Sequence, residues 1–562
     1  MVISLTVTPA LCSYLLNNTK LLEHKEGPIV HYLKAIDLKI LHFSLKHMKT
    51  VLGFTAGLFL LSILLATQMG KDFLPKFNEG TATITVLAQP GTSLEESNRI
   101  GTMAEQLILK SPEVTSVSRR TGRAEQDEHA EGVHYSEIDV DFKQNSGRER
   151  AIVLEEIRKN LNSIDGVFVN LGQPISHRLD HLLSGVRAQI ALKLFGPDLN
   201  VLRQKAAEIN NTLQDTKGLV DLQVEQQVLV PQVKIQLLRD EAIKYGVILG
   251  DLAELLQKAL QGEVVGQILE NQKTIDVLMK FDEKSRSDLE LIKKTPIKIL
   301  PDGTKIKLEQ VADVYESTGP NIINRENSQR RIVIQANSDG RDMESLIKEI
   351  KTKIEKDVEL PTGYFISYGG QFESQQEASK LMLVLSILSI AGIFLVLYMH
   401  FHSSFIAVQI MLNIPMAFIG GIIGIYLTGK IISVASLVAF VTLCGIASRN
   451  GIMMLSHYLH LMKHEGESFT EEMVIRGSLE RLIPVLMTAL TAILGLIPLI
   501  MASGEAGKEI LHPVAVVIVG GLISSTLLDI FVTPTIFYHF GKKSAYHSIE
   551  KDNQHNIFEG GK

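Results

Sequence analysis

The sequence predicts a membrane α-helical bundle joined to a large water-exposed α+β domain, on three observations. Mean hydropathy is positive, +0.16, although 21% of the 562 residues are charged. A chain of that kind is divided between lipid and water. Apolar runs of the roughly 20 residues needed to cross a bilayer occur six times, one before and five after a long polar stretch. Within that stretch the hydrophobic periodicity follows the order β-α-β-β-α-β, and then begins the same order again. Abundant Leu, Ile and Val exclude disorder. Two cysteines, Cys12 and Cys444, exclude a disulfide scaffold; both lie in apolar stretches and read as small buried hydrophobes. A net charge of −6 with dispersed Lys and Arg gives no support for nucleic-acid binding.

Residues 1–16 are apolar but lack the basic start and cleavage site of a signal peptide. Their Val7-Thr8-Pro9-Ala10 echoes Val532-Thr533-Pro534-Thr535 at the end of the last apolar run. Each copy precedes a Lys-rich segment, so residues 1–16 read as the tail of a preceding span in a repeated architecture. Residues 17–50 follow, with an amphipathic helix expected at Lys34–Lys49 on the cytoplasmic leaflet. The first full span occupies 51–70. Five more fill 374–540, at Leu381–Met399, Phe405–Leu427, Ser433–Leu455, Leu482–Met501 and Pro513–Phe540, and 541–562 form a tail. Lys20, Lys25, Lys34, Lys39, Lys46, Lys49, Lys463, Arg476, Lys542, Lys543 and Lys551 all fall on one side, which is therefore cytoplasmic. The opposite short loops hold little more than Lys430 and Lys508, and the polar domain lies outside.

In that domain, strands are expected at Thr81–Ala88, Val114–Arg120, His134–Phe142 and Val167–Leu171, with helices at Leu94–Leu109 and Arg148–Leu161. This is a ferredoxin-like (split βαβ) sandwich over 71–185. A second one spans 186–238 and 318–373. Its expected strands are Ala188–Phe195, Leu219–Val224, Gln232–Leu237, Arg331–Ala336 and Gly363–Tyr368, and its helices Asn200–Thr216 and Met343–Lys356. Residues 239–317 form an insert with its own helical stretch at Leu249–Leu260.

The outer domain holds four histidines, His129, His134, His177 and His181, close to Glu125, Asp127, Glu128, Glu131, Glu137 and Asp180. Neutral imidazole with carboxylate oxygen suits Zn²⁺, Co²⁺ or Cd²⁺, whereas thioether sites suit Cu(I). Met103, Met279 and Met343 are dispersed and the domain has no Cys. His134, Glu137, Asp180 and His181 are the ligand candidates; His129 and His177 read equally well as surface residues of a polar loop.

Within the spans the central charges are Arg449 and Asp529, at similar depth. They could pair directly, or Arg449 could face another carboxylate in a titrating relay, with Thr488 and Arg481 adding a hydroxyl and a second positive charge. His457, His460 and His464 read as interfacial. Catalytic motifs of the GxSxG, P-loop and HExxH kinds are absent.

Five segments carry a resemblance. They are FLPKFNEGT (Phe73–Thr81), RTGRAEQDEHAEGVHYSEID (Arg120–Asp139), QPISHRLDHLLSGVRAQIALKLFG (Gln173–Gly196), GPNIINRENSQRRIVIQAN (Gly319–Asn337) and RLIPVLMTALTAILGLIPL (Arg481–Leu499). With them the chain resembles the heavy-metal efflux branch of the resistance–nodulation–division (RND) superfamily. The resemblance implies the C-terminal half of such a pump: the end of a sixth span, spans seven to twelve, two periplasmic porter sandwiches and a docking insert at 239–317. It implies a proton-driven, inner-membrane homotrimer working with a periplasmic adaptor and an outer-membrane channel. It implies no permanently bound cofactor, with a divalent metal ion as the substrate. Three methionines bind the ion in silver and copper pumps of this branch. Their positions fall near Thr85, around His134–Tyr135 and at His181, and none is Met here. Arg449 matches the basic relay position of the tenth span, and Arg481 and Thr488 match polar positions of the eleventh; the carboxylates of the fourth span would belong to a missing N-terminal half. Two other readings stay open: a transport-inactive remnant needing a separate N-terminal half, and an exporter of organic amphiphiles. The absence of Trp and a 6% aromatic share disfavour the last.

Overall fold

The computed structural model describes residues 2–15, 27–75, 78–122, 131–143, 148, 150–175, 186, 188–505 and 507–559. Four strands build the first sandwich: β1 (Thr81–Leu87), β2 (Val114–Thr121), β3 (Tyr135–Phe142) and β4 (Phe168–Gly172). They lie in the order β2-β3-β1-β4 with every pair antiparallel. Alternation along TATITVL sends Ala82, Ile84 and Val86 to one face, where they meet Ile138, Val140, Val169 and Leu171. Helices Leu94–Ile108 and Arg150–Leu161 close that face with Ala104, Ile108, Val153, Ile157 and Leu161. The first of them starts where it does because Ser93 Oγ accepts the Glu96 N–H at 3.2 Å.

The second sandwich repeats the pattern with β5 (Ile190–Phe195), β6 (Leu219–Val224), β7 (Gln329–Ser338) and β8 (Phe365–Gly370). Their order is β6-β7-β5-β8. Ile190, Leu192, Leu194, Ile332 and Ile334 pack on helices Leu199–Leu213 and Met343–Asp357, which are capped by Asp198 and Asp342.

Gln232–Leu237, expected in this sheet, lies outside it. Leu229–Leu237 pairs antiparallel with Ala312–Pro320, from Leu229 opposite Pro320 to Leu237 opposite Ala312. The sheet has no place for it: β5 occupies one edge of β7, and β6 with the short strand Arg325–Glu326 occupies the other. The resulting ribbon leads into an insert with a core of its own, built on Leu252, Ile292, Ile306, Leu308 and Val311.

Among the described residues, six helices have the length and apolarity to cross a membrane: Met48–Thr67, Gln371–Phe401, Ser404–Thr428, Val434–His464, Glu471–Met501 and Leu511–Phe540. Pro415 explains why the third is two pieces, Ser404–Met411 and Asn413–Thr428. Its ring lacks an N–H and crowds the carbonyl four residues back, that of Met411. The third and sixth spans touch backbone to backbone. A Cβ on Gly420 would overlap the Gly520 carbonyl, and Ser524 Oγ donates to Met416 O at 2.7 Å.

Loop contacts sort the span ends as alternate crossing requires. Gly70–Lys71 after the first span pairs in parallel with Ile431–Ile432 after the third. At the same end Asn78 N–H donates to Glu509 Oε1 at 2.8 Å. At the other end Ser548 Oγ donates to Phe401 O at 2.6 Å. There the helix Pro28–Lys46 lays Leu41 and Leu45 against Ile475 and Tyr538. Cys444 is buried as expected, but Cys12 is exposed, because the helix Val2–Leu15 has its described side chains on the outside.

Candidate functional site

The face of the first sheet away from its helices is polar and largely buried. Alternation places Thr83, Thr85, Tyr135, Glu137 and Asp139 on it, with Thr83 opposite Asp139 and Thr85 opposite Glu137. Tyr135 OH donates to Glu137 Oε2 at 3.1 Å and lies 3.3 Å from Thr85 Oγ1. Thr83 Oγ1 donates to Asp139 Oδ1 at 3.0 Å. From β2, Arg120 Nη2 reaches Glu137 Oε1 and, at 3.1 Å, Asp139 Oδ2. One guanidinium thus bridges two carboxylates.

This face continues to the joint with the second sandwich. Asn170 on β4 accepts from Asn337 Nδ2 on β7 at 2.7 Å, and Asn337 also donates to Asp221 at 2.9 Å. Asp221 in turn accepts from Arg158 Nε at 2.9 Å, returning to a helix of the first sandwich. These four side chains tie the two sandwiches together.

His134 stands just before β3, half-buried, with its ring over Gly132. Burial lowers its imidazole pKa below the usual value, against the opposing pull of Glu131. That burial favours the uncharged imidazole. Glu137 belongs to the Arg120–Tyr135 network instead, so the structure shows no shared site for these two residues. Among the described residues no three His, Cys, Asp or Glu side chains converge on a metal-sized space. The other four ligand candidates, His129, His177, Asp180 and His181, lie outside the described residues.

In the bundle, Arg449 and Asp529 do not pair. Asp529 is fully buried, and its Oδ1 accepts from Thr533 Oγ1. Arg449 is exposed, one residue round the helix from buried Asn450. A single residue turns a helix by about 100°, so equal depth gave no common direction. Arg481 lies nearer the end of the bundle where the Pro28–Lys46 helix packs, its Nη2 3.4 Å from His457 Nδ1, while His457 Nε2 is 2.7 Å from Glu480 Oε2. Thr488 Oγ1 donates to its own helix, at Val485 O, 2.9 Å away. The four relay candidates therefore occupy separate places.

The match to known proteins covers both regions: the AcrB/AcrD/AcrF family model matches residues 1–541. The chain belongs to that family. It is an RND protein, a multi-pass inner-membrane protein from a family of transporters rather than enzymes. It is 33% identical over 549 residues to protein HelA of Legionella pneumophila, covering 96% of this chain and 52% of that protein. To the cobalt-zinc-cadmium resistance protein CzcA of Cupriavidus metallidurans it is 33% identical over 548 residues, covering 96% and 51%. A crystal structure of a heavy metal efflux pump superimposes with a TM-score of 0.78 at 29% identity, covering 92% of this chain and 52% of that one. The chain thus spans about half the length of the relatives it matches.

Sequence reasoning missed the buried amides of this RND bundle. Gln409, Asn413 and Asn450 sit inside apolar runs and are almost wholly inaccessible. A search for uncharged amides in spans, beside the search for charges, would have found them.

Proposed function

We propose that this chain is the C-terminal half of a proton-driven RND pump that exports divalent heavy-metal cations of the zinc, cobalt and cadmium class. The observation that carries the reading is the 33% identity, over 96% of the chain, to a protein named for cobalt, zinc and cadmium resistance. The ligand chemistry agrees: imidazole and carboxylate stand where thioethers would select Cu(I). The two sandwiches are read as ferredoxin-like porter units from their repeated strand order, facing the periplasm, with 239–317 as a docking insert. His134, with Asp180 and His181 and with His129 and His177 as further candidates, captures the ion; Glu137 joins when the ion displaces Arg120. Arg449, Arg481, Thr488 and Asp529 serve the proton side, the exposed Arg449 facing a carboxylate on another segment. The working assembly is a homotrimer with a periplasmic adaptor and an outer-membrane channel, and the rest of the pump completes the cleft.

The test is metal resistance of cells carrying a complete transporter. His134→Ala combined with His181→Ala should abolish zinc, cobalt and cadmium resistance while trimers still assemble. Unchanged resistance removes the ligand assignment. Arg449→Met should stop export without loss of assembly, and continued export removes Arg449 from the relay.

A further inference from the structure

Between the third, fourth and sixth spans lies a polar cluster that neither Arg449 nor any ion pair explains. Its register follows from two contacts between the fourth and sixth spans. Leu443 fills the space over Gly521, and Tyr458 stacks on Phe537 with ring centroids 4.9 Å apart. Both spans run from the outer to the inner end with the same rise per residue, so positions between these contacts stay level. Asn450 of the fourth span therefore stands at the height of Asp529 of the sixth, and both are buried.

The third span completes the enclosure at its Pro415 break. A Cβ on Gly451 would overlap Asn413 Nδ2, so only glycine lets this amide approach the fourth span. Thr533 Oγ1 donates to Asp529 Oδ1 and lies 3.4 Å from Asn413 Oδ1. Gln409 Nε2 donates to the Thr533 carbonyl at 3.1 Å. Gln409, Asn413, Asn450, Asp529 and Thr533 are each no more than 2% exposed.

Yet Asp529 Oδ2, Gln409 Oε1 and both polar atoms of Asn450 have no hydrogen-bond partner. A buried polar atom left so costs about 1–3 kcal/mol, and lipid offers nothing to repair it. Water and a bound ion are what can. The donors are oxygens with a single formal negative charge, which suits a small hard monovalent cation and not a soft or multiply charged one.

We propose that Asp529, Asn450, Asn413, Gln409 and Thr533 form an intramembrane site for one proton or one Na⁺ with ordered water, separate from Arg449. The site deepens the ion coupling proposed above and rests on that reading for its use in transport.

Infrared difference spectroscopy on the purified full chain in lipid nanodiscs tests it without transport. Stepping the buffer from alkaline to acid should produce a carbonyl band of a protonated carboxyl that is lost in Asp529→Asn and kept in Arg449→Met. Asn450→Ala leaves the carboxyl and removes the facing amide, so the band should persist at a shifted frequency. Replacing choline by Na⁺ at fixed pH assigns the ion: bleaching of the band indicates Na⁺, and an unchanged band indicates a proton alone. The proposal is overturned if no band depends on Asp529 and Na⁺ has no effect, or if Asn450→Ala leaves the band unmoved. Failure of metal export would not alter these spectra, so the two readings fail separately.

Discussion

Buried carboxylates are treated in opposite ways in the two halves of the molecule. In the outer domain each meets a guanidinium: Glu137 meets Arg120, Asp221 meets Arg158, and Glu113 takes both arms of Arg148 at 2.5 and 2.6 Å. The Arg148 bonds hold the Glu113 carboxyl below its ordinary range. Against the bundle, Asp37 and Asp529 are as deeply buried, and each leaves one carboxylate oxygen, Asp37 Oδ1 and Asp529 Oδ2, without a hydrogen-bond partner. Paired carboxylates keep their charge and hold a shape. Unpaired ones in low dielectric respond to protons. The two regions thus differ in how a buried carboxylate is satisfied, and the following substitutions probe that difference.

The largest effect is expected at Asp37, on the helix that lies along the inner end of the bundle. It is 3% exposed, its Oδ1 has no partner, and burial pushes its carboxyl from 3.8 up to about 7. A folded-state value above the unfolded one means the folded state keeps its proton longer. Docking of the helix is therefore strongest in acid and weakens as pH rises from 3.8 to about 7, with a constant penalty beyond. At 1.36 kcal/mol per pH unit the penalty is about 2–4 kcal/mol. The helix carries Lys34 one turn before Asp37, with Lys39 and Lys46 further along, and the exposed His42–Glu471 pair, 3.5 Å apart, links it to the fifth span. Asp37→Asn should flatten the pH profile and protect the helix at alkaline pH, measured by hydrogen exchange over Pro28–Lys46. An unchanged profile would show that Asp37 carries its charge without cost.

Arg120→Ala comes next. It leaves Glu137 buried with Tyr135 as a remaining donor and should destabilise the first sandwich by about 1–3 kcal/mol, read as faster exchange along β3. Adding Glu137→Gln should recover most of that loss, since the charge needing a partner is then gone. The same Arg120→Ala frees a carboxylate, so zinc binding followed by calorimetry should tighten about tenfold if the ion competes with the guanidinium. Weaker binding would mean that Arg120 organises the site.

How far the sequence could be read follows the same division. Spans announce themselves by length, and the sandwich strands by alternation, because both signals are local. Gln232–Leu237 alternates like any strand, but which partner it takes depended on a sheet edge already filled by β6. Depth along a span was legible for Arg449 and Asp529; azimuth was not, because one residue separates exposed Arg449 from buried Asn450. The stripe Leu443, Ala447, Asn450, Met454 and Tyr458, all buried, would have given that azimuth, since it excludes Arg449. The metal candidates were chosen by residue type, and four of the six fall outside the described residues.

A smaller effect on stability separates packing from use. Asn450→Leu replaces an unpartnered amide by an apolar side chain of similar volume, so the bundle should unfold within about 1 kcal/mol of the parent or later. Thermal unfolding in detergent checks this. An amide kept only for packing would give the reverse, a clear destabilisation, and would end the contrast with the outer domain.

The smallest expected change is at Thr488. Its hydroxyl already bonds Val485 O within its own helix at 2.9 Å, a local contact that adds little to the stability of the span. Thr488→Val keeps the branched shape and loses only that bond, so the melting temperature should stay within the shift of a few tenths of a kcal/mol. Metal export in a complete transporter is the second measurement, and here the sizes part. A hydroxyl that passes protons is needed for turnover however little it stabilises, so export should fall severely while stability holds. If export and stability are both unchanged, Thr488 is a packing residue, and ion coupling on the membrane side narrows to Arg449, Arg481 and the cluster around Asp529.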